Sequence, residues 1–406
     1  MTDSLTREPC PSQLDEVWTW WRDQMPVARR WAYLDHAAVA PLSQPAAETL
    51  RDYTEMAATS GDVHWLEWSA KVESLRSLTA ELIHCEKDEV ALIPNTTAGI
   101  NFVAGGYPWQ SGDNVVLPEG EFPSNHYPWL NLASEGVEVK LVPRRQGRVE
   151  VDDLIAAMDD RTRLVSVSWV GYASGFRIDL ERLVDEAHRR GVLVFVDAIQ
   201  GMGMFPLDLR SCDVDFLSAD GHKWMLGPEG AGVAVIRRRH LSLLRCQNVG
   251  WASVRNAHLF AAGELELRED AARYETGSAN MPGLMAFAAS LEMFVEVARR
   301  HGASAIGDRV LERSARLRSL IAERGGKLLF DNSPAPTHDS GIVTFEVDGE
   351  SPADFRSRAL ANDVVVSCRG GGVRASVHVY NDDADLHRLA DLISNSPSNS
   401  GTSSLV

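Results

Sequence analysis

Between about residue 80 and residue 240 the chain alternates helical patterns with short apolar runs: EVALIP, NVVLP, VEVKLVP, TRLVSVSWV, VLVFVDA, VDFLSA and GVAVIRR. Each run is too short for a helix, rich in Val, Ile and Leu, and apolar on both faces. That is the pattern of a strand buried beneath helices on either side. One connecting helix is legible in IDLERLVDEAHRRG: Asp179 caps the first turn, Leu180, Leu183, Val184 and Ala187 share one face, and Gly191 ends it. The pattern predicts an α/β fold.

After about residue 285 the pattern changes to two long helices, MAFAASLEMFVEVARRHG and ASAIGDRVLERSARLRSLIAERGG. They are followed by a strand (GIVTFEV), a helix over SPADFRSRALAN, a strand (DVVVSC), a RGGG turn, a strand over VRASVHVY and a last helix, which predicts a second, smaller α/β layer. Near the start, Trp18, Trp20, Trp21 and Trp31 mark an entry helix that packs on the body. The expected units are the entry helix (1–30), the large layer (31–285), the small domain (286–393) and a Ser/Asn/Gly-rich disordered tail (394–406).

Charge narrows the partners. Forty Lys plus Arg against 57 Asp plus Glu leaves a net −17, which repels polyanions, so neither nucleic acid nor an anionic membrane is expected. Five cysteines, odd in number, scattered and free of any CxxC pair, argue against a disulfide framework and against a metal site, and fit a reducing setting. The opening MTDSLTREPCPSQLDEVW has charges of both signs and no apolar core, and no run of about 18 apolar residues follows, so a cytoplasmic location is expected.

The chemistry concentrates in VLVFVDAIQGMGMFPLDLRSCDVDFLSADGHKWMLGPEGAGVAVI. One strand ends at Asp197 with Gln200 a turn later, and the next leads to a Gly-His-Lys triplet in which Lys223 faces a glycine-bordered turn. Both groups arrive at the carboxyl edge of the sheet, where open α/β folds bind ligands. A lysine and a carboxylate at one edge suit an aldehyde cofactor, which needs an amine for a Schiff base and an acid to keep a pyridine nitrogen protonated. In PNTTAGINFVAGG, a helix amino terminus carrying Thr96 and Thr97 suits a phosphate dianion. A nicotinamide site at the GMG of residues 201–203 is weaker, since the third glycine and a ribose-binding acid are missing.

From YLDHAAVAP near residue 33 to VRASVHVYN near residue 380, these motifs occur in an order that resembles the class V aminotransferase and cysteine desulfurase superfamily. The resemblance implies a fold-type I architecture: a large domain with a mostly parallel seven-stranded sheet, a smaller C-terminal α/β domain, and pyridoxal 5′-phosphate as cofactor. It makes Lys223 the lysine that holds the cofactor and moves the proton at Cα. Asp197 becomes the partner of the pyridine nitrogen, and Gln200 a neighbour of the phenolic oxygen. Thr96, Thr97 and His222 fall to the phosphate, and Arg374 to the substrate α-carboxylate, with Arg369 a weaker candidate. Ser278 in RYETGSAN matches a segment that crosses to the neighbouring subunit's phosphate, which implies a homodimer with shared active sites.

Several positions depart from the desulfurase pattern. Phe122 stands where desulfurases place a histidine; it can stack on a cofactor ring but cannot exchange protons, and His126 is the nearby substitute. Trp169 replaces an asparagine and is expected to shape the substrate pocket. Asp220 replaces a serine and is expected to turn from the phosphate or bond to His222. Only RGGGV separates Cys368 from Arg374, too little for the mobile cysteine-bearing loop of desulfurases, and RGGGVR resembles the isopenicillin N epimerase-like branch. The expected function is a pyridoxal phosphate enzyme acting at Cα of a small amino acid, with aminotransferase-type chemistry first. Desulfurase-like C–S cleavage and epimerisation are the alternatives, and a non-catalytic pyridoxal phosphate-binding protein is the rival from another class.

Overall fold

The structure, a computed structural model, describes residues 9–259, 263–330 and 336–394. The tail expected to be disordered lies outside these residues, apart from Ser394, which ends the last helix.

A two-residue strand β1 (Ala32–Tyr33) precedes the strands of the large sheet: β2 (Val90–Ile93), β3 (Asn114–Pro118), β4 (Glu138–Val142), β5 (Thr162–Ser168), β6 (Leu193–Asp197), β7 (Phe216–Asp220) and β8 (Gly232–Ile236). Every apolar run read from the sequence became one of the seven. Their order is β2-β8-β7-β6-β5-β3-β4, with β8 antiparallel to both neighbours and the other pairings parallel.

The side-chain period of two divides the strands between two apolar layers: Val90 and Leu92 join one cluster, Ala91 and Ile93 the other. Helices cover both layers, so the strands are buried; only the edge strand β4 carries fully exposed positions. The first layer packs beneath helices Gln44–Ser60, Trp65–Ile83 and Met281–His301. Met281–His301 is long and apolar enough to cross a membrane by composition alone, yet most of it is buried inside the protein.

The smaller sheet contains β9 (Lys327–Leu328), β10 (Ile342–Glu346), β12 (Ser367–Arg369) and β13 (Gly372–Ser376), in the order β12-β13-β10-β9 and antiparallel throughout. Between β10 and β12, β11 (Val364–Val365) pairs in parallel with β1. The segment just after residue 31 is thus tied to the C-terminal part rather than to the large sheet. The strand expected over VRASVHVY stops at Ser376, because His378 and Asn381 close a turn on each other: His378 N donates to Asn381 Oδ1 at 2.8 Å, and Asn381 N to His378 O at 3.1 Å.

The entry helix runs from Leu14 to Asp23 and buries Trp20 and Trp21, as its aromatic pattern suggests. Trp21 meets Phe294 edge-on with ring centroids 4.9 Å apart and also touches His378 at 5.9 Å, so it joins the helix Met281–His301 to the C-terminal part. Trp21→Ala is expected to remove about 3–5 kcal/mol of stability; urea unfolding followed by circular dichroism checks it, and a loss below about 1 kcal/mol would contradict this packing role.

Candidate active site

The carboxyl ends of β6 and β7 open into a cleft of about 250 Å³ whose walls include Thr96, Thr97, Phe122, Asp197, Gln200, His222, Lys223 and Arg374. With Asp220 and Arg369, which also line it, ten of the residues singled out from the sequence meet in one place.

Lys223 follows β7 on a turn held by Gly227 N to Gly221 O at 2.8 Å and by Leu226 N to Lys223 O at 3.2 Å. Its side chain is almost fully buried, and burial lowers its pKa from 10.5 to about 8; Asp197 opposes that shift, while Arg374 adds to it. Asp197 ends β6 and is driven the other way, to about 7, again by burial, against the pull of Ile199 N and Lys223. Among the described residues its carboxylate receives one hydrogen bond, from Ile199 N at 3.1 Å, which leaves acceptor capacity facing the cleft.

On another wall, the helix Thr96–Gly106 points its amino terminus at the cleft, capped by Asn95, whose side chain accepts from Ala98 N. Thr97 Oγ1 donates to Ser124 Oγ at 2.8 Å, bringing two hydroxyls beside the free N–H groups of that helix end. Thr96 does different work: its Oγ1 accepts from Asp220 N at 3.0 Å and its carbonyl from Ser218 Oγ at 2.9 Å, so it ties the helix to β7. His222 Nδ1 lies 2.9 Å from Asp220 Oδ1, and both residues line the cleft. Phe122 stands over Lys223, whose Nζ is 5.4 Å from the ring centroid, and meets Tyr172 edge-on at 5.4 Å.

Gln200 uses both ends of its amide, donating to Ala37 O at 2.9 Å and accepting from Trp224 Nε1 at 2.7 Å. Arg374 is fully buried and pinned on three sides: Nε to Ser367 Oγ at 3.1 Å, one terminal nitrogen to Tyr172 O at 2.8 Å, the other to Asp35 Oδ1 at 3.4 Å. Each terminal nitrogen keeps one further N–H, the fork a carboxylate takes. Arg369 lines the same cleft from an exposed position.

Three expectations need correction or relocation. Trp169 does not line the cleft. Ser168 turns its side chain to Glu121, so the next residue turns to the opposite side, and the indole packs on Gly201 and Phe205 and borders a separate hollow. Ser278 is exposed and lines a different cavity, of about 310 Å³, with Thr276 and Asn280, so within one chain it takes no part in the site. His126 packs on Tyr127 and is not part of the cleft wall. Asp35, Glu121, Ser124, Tyr172 and Ser367 were not anticipated. The serine in FPSN and the tyrosine in WVGYASG sit in short turns near residues already singled out, and that proximity was the one available signal.

The family description Aminotransferase class-V matches residues 32–389. The chain belongs to the class V aminotransferase family. It is similar to a probable cysteine desulfurase of Methanothermobacter thermautotrophicus, 28% identical over 405 residues, covering 92% of this chain and 96% of the relative. Its fold is shared by the apo cysteine desulfurase from Thermococcus onnurineus, with TM-score 0.82 and 24% identity over 92% of this chain and 96% of that one. It is shared as well by a cystine C–S lyase in complex with its reaction product cysteine persulfide, with TM-score 0.81 and 23% identity over 91% of this chain and 99% of that one.

Membership makes the chain a pyridoxal phosphate-dependent enzyme of the aminotransferase superfamily, and its residues fit that cofactor. Lys223 is a buried amine, Asp197 a buried carboxylate with unused acceptor capacity, and the Thr97–Ser124 corner a cradle for a dianion. Apo-protein mixed with pyridoxal 5′-phosphate is expected to gain its near-visible band at a rate that climbs through about pH 8 and then levels, because the neutral amine is the nucleophile. Lys223→Ala abolishes the band. A rate still climbing near 10.5, the value of an unperturbed lysine, would contradict the buried environment.

Proposed function

We propose that the protein cleaves the Cβ–S bond of a small sulfur-containing α-amino acid by β-elimination, the sulfur leaving on the small-molecule product and not on a cysteine of the protein. The names of the relatives favour C–S chemistry over the transamination that the sequence put first. One observation carries the finer choice. On β12, Arg369 lines the cleft and Ser367 turns to Asp35 and Arg374, so Cys368 between them faces away, with Sγ 3.1 Å from Pro352 O and its thiol pKa raised by burial. Cys10, Cys85, Cys212 and Cys246 are also absent from the cleft wall. No thiol is at hand to accept sulfur.

Water completes the balance: RS–CH2–CH(NH3+)–COO− plus H2O gives pyruvate, ammonium and RSH. Pyridoxal phosphate, when bound, supplies the sink for the electron pair left at Cα. Arg374 holds the α-carboxylate through its two remaining N–H groups, which fixes Cα against Lys223. With a pKa of about 8, the Lys223 amine is suited to taking the Cα proton near neutrality. Phe122 covers this region with a ring that cannot exchange protons, so Lys223 remains the proton carrier at that face. The same reading includes a homodimer in which the exposed Ser278 serves the neighbouring site, and a reducing, cytoplasmic setting, which five free cysteines support.

Holoenzyme incubated separately with L-cysteine and L-cystine, and assayed for pyruvate, ammonia, sulfide and alanine, tests the reaction. Pyruvate and ammonia in equal amounts are expected, with Cys368→Ser within about twofold of wild type and Arg374→Lys raising KM by about tenfold or more. Alanine with a persulfide on the protein would establish desulfuration instead. A keto acid formed from amino acids without sulfur, with conversion of the cofactor to its amine form, would establish transamination.

A further inference from the structure

Glu121 is a carboxylate that the reaction above does not use, and its side chain is buried to about 1% exposure. It lies just before Phe122 and reaches the end of β5, where Ser168 Oγ donates to its Oε2 and Ser168 N to its Oε1 at 3.2 Å. Asn125 Nδ2 adds a bond to Oε2 at 3.3 Å, and Arg144 a bond to Oε1 at 2.8 Å. Ser168 is the ladder partner of Asp197 on the neighbouring strand, and Trp169 N donates to Asp197 O at 3.0 Å. Two buried carboxylates thus stand one strand apart at the same edge of the sheet. Arg144 is itself mostly buried, and its Nε has no hydrogen-bond partner among the described residues.

A buried carboxylate unrelated to the site would be a costly way to join a loop to a strand end, since serine and asparagine bonds alone could do so. We infer that Glu121 and Arg144 form a buried ion pair that sets the electrostatic field at Asp197, and through it the protonation of the cofactor held there. Glu121 is a positioning residue, acting through Asp197 without touching substrate. The charged groups facing Asp197 are Lys223 from the turn after β7 and Glu121 from the Phe122 loop, the first favouring its ionised form and the second opposing it. Lys223 in turn faces Asp197 and Asp220, which favour its charge, and Arg374 and Arg369, which oppose it. Neither Glu121 nor its counter-ion Arg144 is part of the cleft wall, so their field can be altered without touching the substrate clamp.

The inference rests on the cofactor reading, and its test separates the two. Holoenzyme is titrated with pH while the near-visible band is recorded, and the midpoint of its spectral change is compared among variants, each checked for folding by circular dichroism. Glu121→Gln leaves Arg144 uncompensated and is expected to lower the midpoint by at least about 0.5 pH unit. Arg144→Gln leaves Glu121 uncompensated and raises it. The double variant, lacking both charges, falls between the two single variants. A merely structural role would shift both single variants the same way, or neither, and would not place the double variant between them; any of these results overturns the inference. Should Glu121→Gln not fold, Arg144→Gln decides alone, and a midpoint that fails to rise overturns it. A wild type that forms no band at all instead overturns the cofactor reading.

Discussion

The site depends on an amine and a carboxylate being kept out of water at the edge of one sheet. Lys223 and Asp197 sit where β6 and β7 end, surrounded by strands that are apolar on both faces, so the charged form of each is penalised. Desolvation pushes the lysine down to about 8 and the aspartate up to about 7. Burial thus favours the neutral amine of Lys223, the form that can take a proton, and leaves the Asp197 carboxylate in need of a cationic partner. In open solvent, on a flexible loop, the same two residues would be an ordinary ion pair worth little.

Such burial demands close packing around the pair. The helix Thr96–Gly106 approaches β7 so tightly that a Cβ at Gly99 would sit 2.4 Å from Ser218 Oγ, and the hydroxyl of Thr96 takes up the Asp220 N–H within the gap. The segment from Tyr33 to Ala40 performs a similar task between the two sheets. Ala37 N donates to Ser376 Oγ at 2.9 Å, Ala37 O accepts from Gln200, and Ala40 N donates to His222 O at 2.7 Å. One short strap near the amino terminus therefore joins the small sheet, which carries Arg374, to the turn that carries Lys223. A shift of the small sheet would move the clamp and the amine relative to each other only if this strap yielded.

Legibility followed the same physics. Apart from the partly exposed edge strand β4, the strands of the large sheet could be read because burial on both faces leaves a largely apolar run, and Asp197 and Lys223 could be read because a polar residue at or just beyond the end of such a run is conspicuous. Where a side chain points once the run is over could not be read. Trp169 lies one residue beyond β5, and the alternation that sends Ser168 to Glu121 sends the indole to the far side. Ser124 lies in a three-residue 3-10 turn, Tyr172 in a turn and Asp35 in an isolated bridge, and their direction is set by tertiary contacts that no periodicity records. Glu121 carries no signal in the sequence, since only the fold brings Arg144 and Ser168 to it.

The short link between Cys368 and Arg374 shows how few residues decide the sulfur chemistry. β12 and β13 pair with Arg369 opposite Gly372, which leaves a two-residue turn at Gly370 and Gly371, with φ of +61° and +85°. Positive φ at both positions is the requirement of the tightest hairpin turns, and two glycines meet it without strain. So short a connection has no slack to swing Cys368 round into the cleft, and it also fixes the register that makes Ser367 and Arg374 ladder partners bonded at 3.1 Å. A one-residue slip would turn Cys368 inward, but it would also turn Ser367 away from the guanidinium and from Asp35. Arg374 can thus be held as it is, or a thiol can be presented from β12, but this hairpin cannot do both.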